Sequence, residues 1–168
     1  MQSLLIKNIG ILQTPVGSYS HKGSEQGENL KLKDAAIFIK DGVIEEITSN
    51  GKLPGQANEA DEVMDANYSL VTPGLVDGHT HMVFGGYRQH EIPMKLKGAT
   101  YLDILRAGGG ILDTVRKTRA ATEQDLIYKT GKFAEEMMAH GVTTCEAKSG
   151  YGLDFENEIK MLHVIKAV

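Results

Sequence analysis

The stretch "VTPGLVDGHTHMVFGG", residues 71–86, decides how this chain is read. An apolar run crosses Pro73-Gly74, reaches His79 and His81 one residue apart, and ends in Gly85-Gly86. Side chains at i and i+2 of a strand share a face, and a rise of about 3.3 Å per residue sets their Cα atoms about 6 to 7 Å apart. Two imidazoles at that separation can converge on one ion at the roughly 2.0 to 2.1 Å per nitrogen usual for zinc. The pair marks a candidate metal site at a strand end, with Asp77 as a residue that can orient a ligand from the next layer. A catalytic ion usually takes three protein ligands, so two histidines are an incomplete set. His21, His90, His140 and His163 stand apart in the sequence and are read as structural or exposed.

Outward from this stretch the texture differs on the two sides. Residues 1–69 form a β-rich segment. "SLLIKNIGIL" (3–12) is strand-like, and "AAIFIKDGVIEEIT" (35–48) places Asp41-Gly42 between apolar runs, the signal of a hairpin. Between them, residues 13–33 are rich in Gly, Ser and charge and are expected to be an exposed loop. Residues 70–168 alternate between strand and helix. Leu126, Thr130, Phe133 and Met137 share one helical face, with Thr122 as N-cap and Gly141 as the stop. "VTTCEAK" (142–148) is a short strand in which Cys145 is expected to be a small buried hydrophobe. A last helix follows Asp154, with Phe155, Ile159, Leu162 and Ile165 on its predicted inner face. This order predicts an α/β fold of βαβ units with a parallel sheet, whose buried strands should be continuously apolar, as "SLVTPGLV" (69–76) nearly is. An eight-stranded (β/α) barrel takes about 250 residues, whereas 98 follow position 70. The sheet is expected to be either small and open or the front of something longer.

Composition narrows the partners. The chain has 168 residues, net charge -4 and no basic run, which argues against a nucleic-acid surface or an anionic membrane as partner. No run of about 18 apolar residues occurs, and the first twelve residues lack the pattern of a signal peptide. The single cysteine cannot make an internal disulfide, which fits a reducing compartment, so the expected location is cytoplasmic. A small-molecule or protein partner is expected.

Four segments carry a more specific resemblance: "PGLVDGHTHMVFGGYRQHE", "GATYLDILRAGGGILDTVRKTRAAT", "HGVTTCEAKSGYGLD" and "NEIKMLHVI". The first motif, "PGLVD-x-H-x-H", resembles the amidohydrolase superfamily as a whole. The "VFGG-x-R" continuation and the "AGGGI" and "KSGYGL" loops resemble one member family, the imidazolonepropionases, over almost the whole chain. The resemblance implies a metal-dependent TIM-type (β/α) barrel with a small β-sandwich built from both chain ends, and one zinc or iron ion. It implies hydrolysis of 4-imidazolone-5-propanoate to N-formimino-L-glutamate in histidine degradation, and a homodimer of the full-length enzyme. On the matching positions it implies His79 and His81 as metal ligands and Arg88 and Tyr151 as substrate-binding residues. The chemistry agrees, because a guanidinium grips a carboxylate through two parallel N–H bonds. Gly85-Gly86 would act as a flexible turn that returns Arg88 over the metal. A third histidine and a proton-transferring aspartate are expected beyond residue 168, so the chain is expected to be an N-terminal portion, inactive alone, with no catalytic residue assigned in it.

Gly78, where relatives often carry proline, departs from the pattern and is expected only to loosen the turn. Glu146 and Lys148 are left outside the metal set. The glycines at 108–110 lack the phosphate-loop pattern and are expected to make a tight inter-helix turn. Tyr101 can either reach a substrate or cap a helix face. Two other readings fit the motifs: a different cyclic-amide hydrolase or deaminase of the superfamily, and a non-catalytic fragment acting as an interaction module.

Overall fold

The computed structural model describes residues 2–168, and they form two compact units, one closing at Pro73 and the other spanning Gly74–Val168. In the first unit β1 (Ser3–Pro15) is the central strand of a five-stranded sheet. It pairs antiparallel with β2 (Asn29–Lys40) and parallel with β4 (Glu62–Asp65) and β5 (Leu70–Val71), while β3 (Val43–Thr48) pairs with β2. Ile9, Leu12, Ala35 and Ile37 form its core. The predicted hairpin joins β2 to β3, with Asp41 at φ 49 and Gly42 at φ 80, the two positive values that a type I′ turn needs. The predicted loop at 13–33 is shorter than expected. Pairing continues from Leu12↔Leu32 to Pro15↔Asn29, because ladder hydrogen bonds join backbone groups and do not require apolar side chains.

The second unit runs β6 (Leu75–Thr80), α1 (Glu91–Leu96), α2 (Tyr101–Arg106), α3 (Ile111–Ala120), α4 (Glu123–Ala139), β7 (Val142–Ala147) and α5 (Phe155–Ala167). Strands β6 and β7 pair in parallel, Leu75 opposite Val142 and Thr80 opposite Ala147, with the helices in the crossover. Thr122 caps α4 by accepting the Asp125 N–H, and Gly141 stops it at φ 88. The core joins Met82 and Val83, just past β6, to Leu126 of α4 and to Met161 and Val164 of α5, with Phe133 and Met137 packed against it.

Three expectations fail here for physical reasons. The apolar run 69–76 is broken at Pro73 into β5 and β6, which lie in different sheets. Leu75, Val76 and Cys145 are exposed rather than buried, since β6 and β7 have only each other as strand neighbours among the described residues. On α5 the fully buried residues are Met161 and Val164, with Ile165 of the expected face packed against their core and Ile159 half-buried, whereas Phe155 is 84% and Leu162 45% exposed. Periodicity finds a stripe, but which stripe is buried depends on where α4 crosses, and Phe155 in the first turn lies outside that contact.

Gly85 and Gly86 also differ from expectation. Neither has a positive φ. A Cβ on Gly85 would lie 2.2 Å from the Lys117 carbonyl oxygen, and one on Gly86 would lie 2.5 Å from the Lys117 side chain. They are glycines because the chain runs against α3, and the Gly85 N–H donates to Thr118 Oγ1 at 2.9 Å. Gly85→Ala should therefore destabilise by about 1 to 3 kcal/mol, the usual cost of overpacking. Gly78→Ala, where nothing lies within 4 Å of the added methyl, should be nearly neutral. Urea midpoints of the two variants test this; equal midpoints would refute the close approach.

Candidate functional site

The site begins where β6 ends. His79 is exposed and His81 half-buried, their rings edge-to-face with centroids 5.4 Å apart. Asp77 does not reach an imidazole; its Oδ1 accepts the backbone N–H of His79 at 3.1 Å and so braces the strand end. His81 Nδ1 is buried and has no hydrogen-bond partner. It lies beneath Gly150, whose added Cβ would be 3.2 Å from that nitrogen. Tyr151, next in sequence, leans on the same ring with centroids 5.6 Å apart.

The end of β7 adds a second pair of groups. Glu146 and Lys148, two residues apart on one face, form an ion pair at 2.8 Å. The hydrogen bond from Lys148 holds the Glu146 carboxyl below the ordinary range, with Lys148's charge and then His79 and His81 adding to it. Glu146 is thus occupied by its lysine. Among the described residues no three His, Cys, Asp or Glu side chains are arranged to hold an ion. The donor set is two imidazoles. That chemistry suits zinc and iron alike, and with Nδ1 sealed beneath Gly150, Nε2 is the nitrogen through which His81 could bind.

Arg88 stands on the segment that α3 holds. Its side chain is 38% exposed and its Nη1 lies 3.9 Å from Glu91 Oε1. His81, Arg88 and Tyr151 line one cavity of about 260 Å³, together with Phe84, Tyr87 and Thr114. Three of the four residues singled out in the sequence therefore meet around one space; His79 is not among its lining residues. Tyr101 opens α2 and is 62% exposed, and the cap there is Thr100. Beside the cavity, Lys129 Nζ sits 3.9 Å from the centre of the Phe84 ring and 4.3 Å from that of Tyr87. Burial, then the charge of Lys117, pushes its pKa down.

Sequence reasoning missed Glu91, which is only 2% exposed. Its Oε1 accepts the Gly110 N–H at 2.6 Å, and its Oε2 lies 3.3 Å from Lys95 Nζ. The inter-helix turn at 108–110 is present, with Gly108 and Gly110 at positive φ, and it serves this carboxylate as well. The signal was in the spacing: Glu91 lies three residues after Arg88 and four before Lys95, distances at which helical neighbours meet.

No family model matches the sequence. Individual relatives do. The imidazolonepropionase of Thermoanaerobacter pseudethanolicus is 46% identical over 162 residues, 96% of this chain and 38% of that protein. The chain is a homologue of the imidazolonepropionases. The Hahella chejuensis imidazolonepropionase is 49% identical over 135 residues, 80% of this chain and 33% of that protein. The chain thus spans under two fifths of the length of the curated imidazolonepropionases it matches. Among solved structures, E. coli guanine deaminase aligns with a TM-score of 0.63 at 14% identity, over 99% of this chain and 34% of that one. This likeness concerns the fold alone. No helix among the described residues is long and apolar enough to cross a membrane.

Glu91 gives the site a pH dependence. The Gly110 N–H holds its carboxyl below the ordinary range, burial opposes this, and Lys95 and Arg88 add to the lowering. A carboxyl with a depressed folded pKa contributes stability above the ordinary glutamate value of about 4.3, and that stability is lost as pH falls through the folded value. Urea midpoints measured from pH 6 down to pH 3 should fall less steeply for Glu91→Gln than for the unaltered chain. Parallel curves would contradict this assignment.

Proposed function

We propose that the second unit is the opening part of a (β/α) barrel of the amidohydrolase kind, and that the first unit is one portion of its small β-sandwich. We propose further that the whole protein hydrolyses the cyclic amide of 4-imidazolone-5-propanoate to N-formimino-L-glutamate, in histidine degradation. The observation that carries the reading is the cavity lined jointly by His81, Arg88 and Tyr151. The resemblance to relatives named imidazolonepropionase supports the choice of substrate.

In this reading Arg88 binds the propanoate carboxylate through paired N–H donors. Glu91 is already engaged by Gly110 and Lys95, so the guanidinium keeps donors free for a ligand. The Tyr151 hydroxyl is the group that hydrogen-bonds the substrate's polar atoms, while its ring and Phe84 supply an apolar wall. His79 and His81 would hold one zinc or iron ion. Such an ion supplies a lowered pKa for water and polarisation of the carbonyl under attack. Proton transfer to the leaving nitrogen needs a further acid-base group, and a third ligand is needed as well; the reading assigns both to residues outside these 168. Catalysis is accordingly a property of the whole protein.

Two measurements test the assignment. Zinc titrated into the 168-residue chain, followed by calorimetry, should bind weakly, and the His79→Ala, His81→Ala double variant should abolish that heat; an unchanged isotherm would remove both histidines from the metal set. Imidazole-4-propanoate, a stable compound bearing the same side chain, should perturb the Arg88 and Tyr151 resonances in an NMR titration. Arg88→Met should weaken that binding by about tenfold or more, the scale of a lost hydrogen bond to a charged group. Equal affinity would rule out Arg88 as the carboxylate site.

A further inference from the structure

The loop that carries Tyr151 is held by two side chains that have no part in the assignment above. On α5, Glu158 Oε1 accepts the Gly152 N–H at 2.8 Å and the Leu153 N–H at 2.7 Å. On α3, Arg119 donates Nε–H to the Gly152 carbonyl at 2.7 Å and pairs with Asp154 at 3.0 Å. The loop therefore has its N–H groups on a carboxylate from one helix and a carbonyl on a guanidinium from another.

The backbone there needs such support. Leu153 is held at φ 54, a left-handed conformation unfavourable for a γ-branched side chain, and its N–H is one of those that Glu158 takes. A Cβ on Gly152 would lie 2.6 Å from the Glu158 backbone nitrogen, so the loop lies directly against the first turns of α5. The helix itself does not call for this carboxylate. Asp154 caps α5 by accepting the Asn157 N–H at 2.8 Å, and Met161 and Val164 seat it in the core. What Glu158 holds is the loop, and the loop places both Tyr151 against His81 and Gly150 over His81 Nδ1.

We propose that Glu158 is a positioning residue of the substrate site, fixing the 149–153 loop and through it the Tyr151 ring. The inference rests on the reading of Tyr151 as a substrate-binding residue. The test uses the 168-residue chain labelled with 3-fluorotyrosine, the Tyr151 resonance being assigned by its loss in Tyr151→Phe. In Glu158→Ala, amide exchange at Gly152 and Leu153 should rise about tenfold or more. Exchange at Met161 and Val164 should stay as it was, and the Tyr151 fluorine signal should shift towards that of an exposed tyrosine. Glu158→Gln, which keeps an acceptor oxygen and is the milder change should the alanine variant fold poorly, should restore part of both effects. An unmoved Tyr151 signal in the two variants would overturn the proposal. So would an equal rise in exchange at Met161 and Val164, which would make Glu158 a support of the helix alone. Neither readout involves a ligand, so a failure here is distinct from a failure of imidazole-4-propanoate to bind.

Discussion

The contact on which the site depends is the run of main chain against main chain at Gly85. No side chain fits between that residue and the last turns of α3. The approach lets the Gly85 N–H reach Thr118, and lets Lys117 Nζ bind the Tyr87 carbonyl at 3.0 Å while pairing with Asp113 at 2.7 Å. The segment leading to Arg88 is thus laid along one helix. The same helix sends Arg119 to the Tyr151 loop, and the carbonyls of Thr118 and Arg119 at its end, with that of Ala121 just past it, accept from Lys160 of α5. Helix α3 contributes little to the cavity lining itself, yet both loops that define the cavity are referred to it.

The charges around the site are arranged so that few are left unassigned. Glu146 is matched by Lys148, and Asp113 by Lys117 and Arg116. Glu91 is shared unequally, closest to Gly110 and Lys95 and farthest from Arg88. Unequal sharing matters because a guanidinium bound bidentately to a buried carboxylate has little left for a ligand, whereas one at 3.9 Å is oriented without being saturated. Lys129 stands apart, its ammonium against aromatic faces, where cation-π attraction takes the place of a counter-ion.

The readable parts of the fold were those governed by local rules. The Asp41-Gly42 hairpin, the Thr122 and Asp154 caps and the Gly141 stop follow from backbone preferences of single residues, and each stands where those preferences put it. The histidine pair and its link to a strand end were legible from alternation. Readings that needed a neighbour went wrong. Cys145 looked buried because its strand is β-rich, but burial requires a layer against it. The α5 stripe was only partly placed, with Ile165 against the core but Phe155 and Leu162 exposed, because the crossing of α4 selects which apolar residues are covered. Gly85-Gly86 suggested flexibility, and the cause is close packing.

By itself, the sequence determined the Asp41-Gly42 hairpin, the succession of α4, β7 and α5 with the Thr122 and Asp154 caps and the Gly141 stop, and the identity of the groups at the strand ends, since these are written in spacings of a few residues. The tertiary structure alone decided that His81, Arg88 and Tyr151 share one cavity, that Glu91 beside Arg88 holds the 108–110 turn, and that Glu158 holds the Tyr151 loop. The cavity residues lie up to 70 residues apart in the chain, from His81 to Tyr151. Their meeting depends on the parallel pairing of β6 with β7 and on the docking of α3, interactions between distant segments that no local pattern specifies.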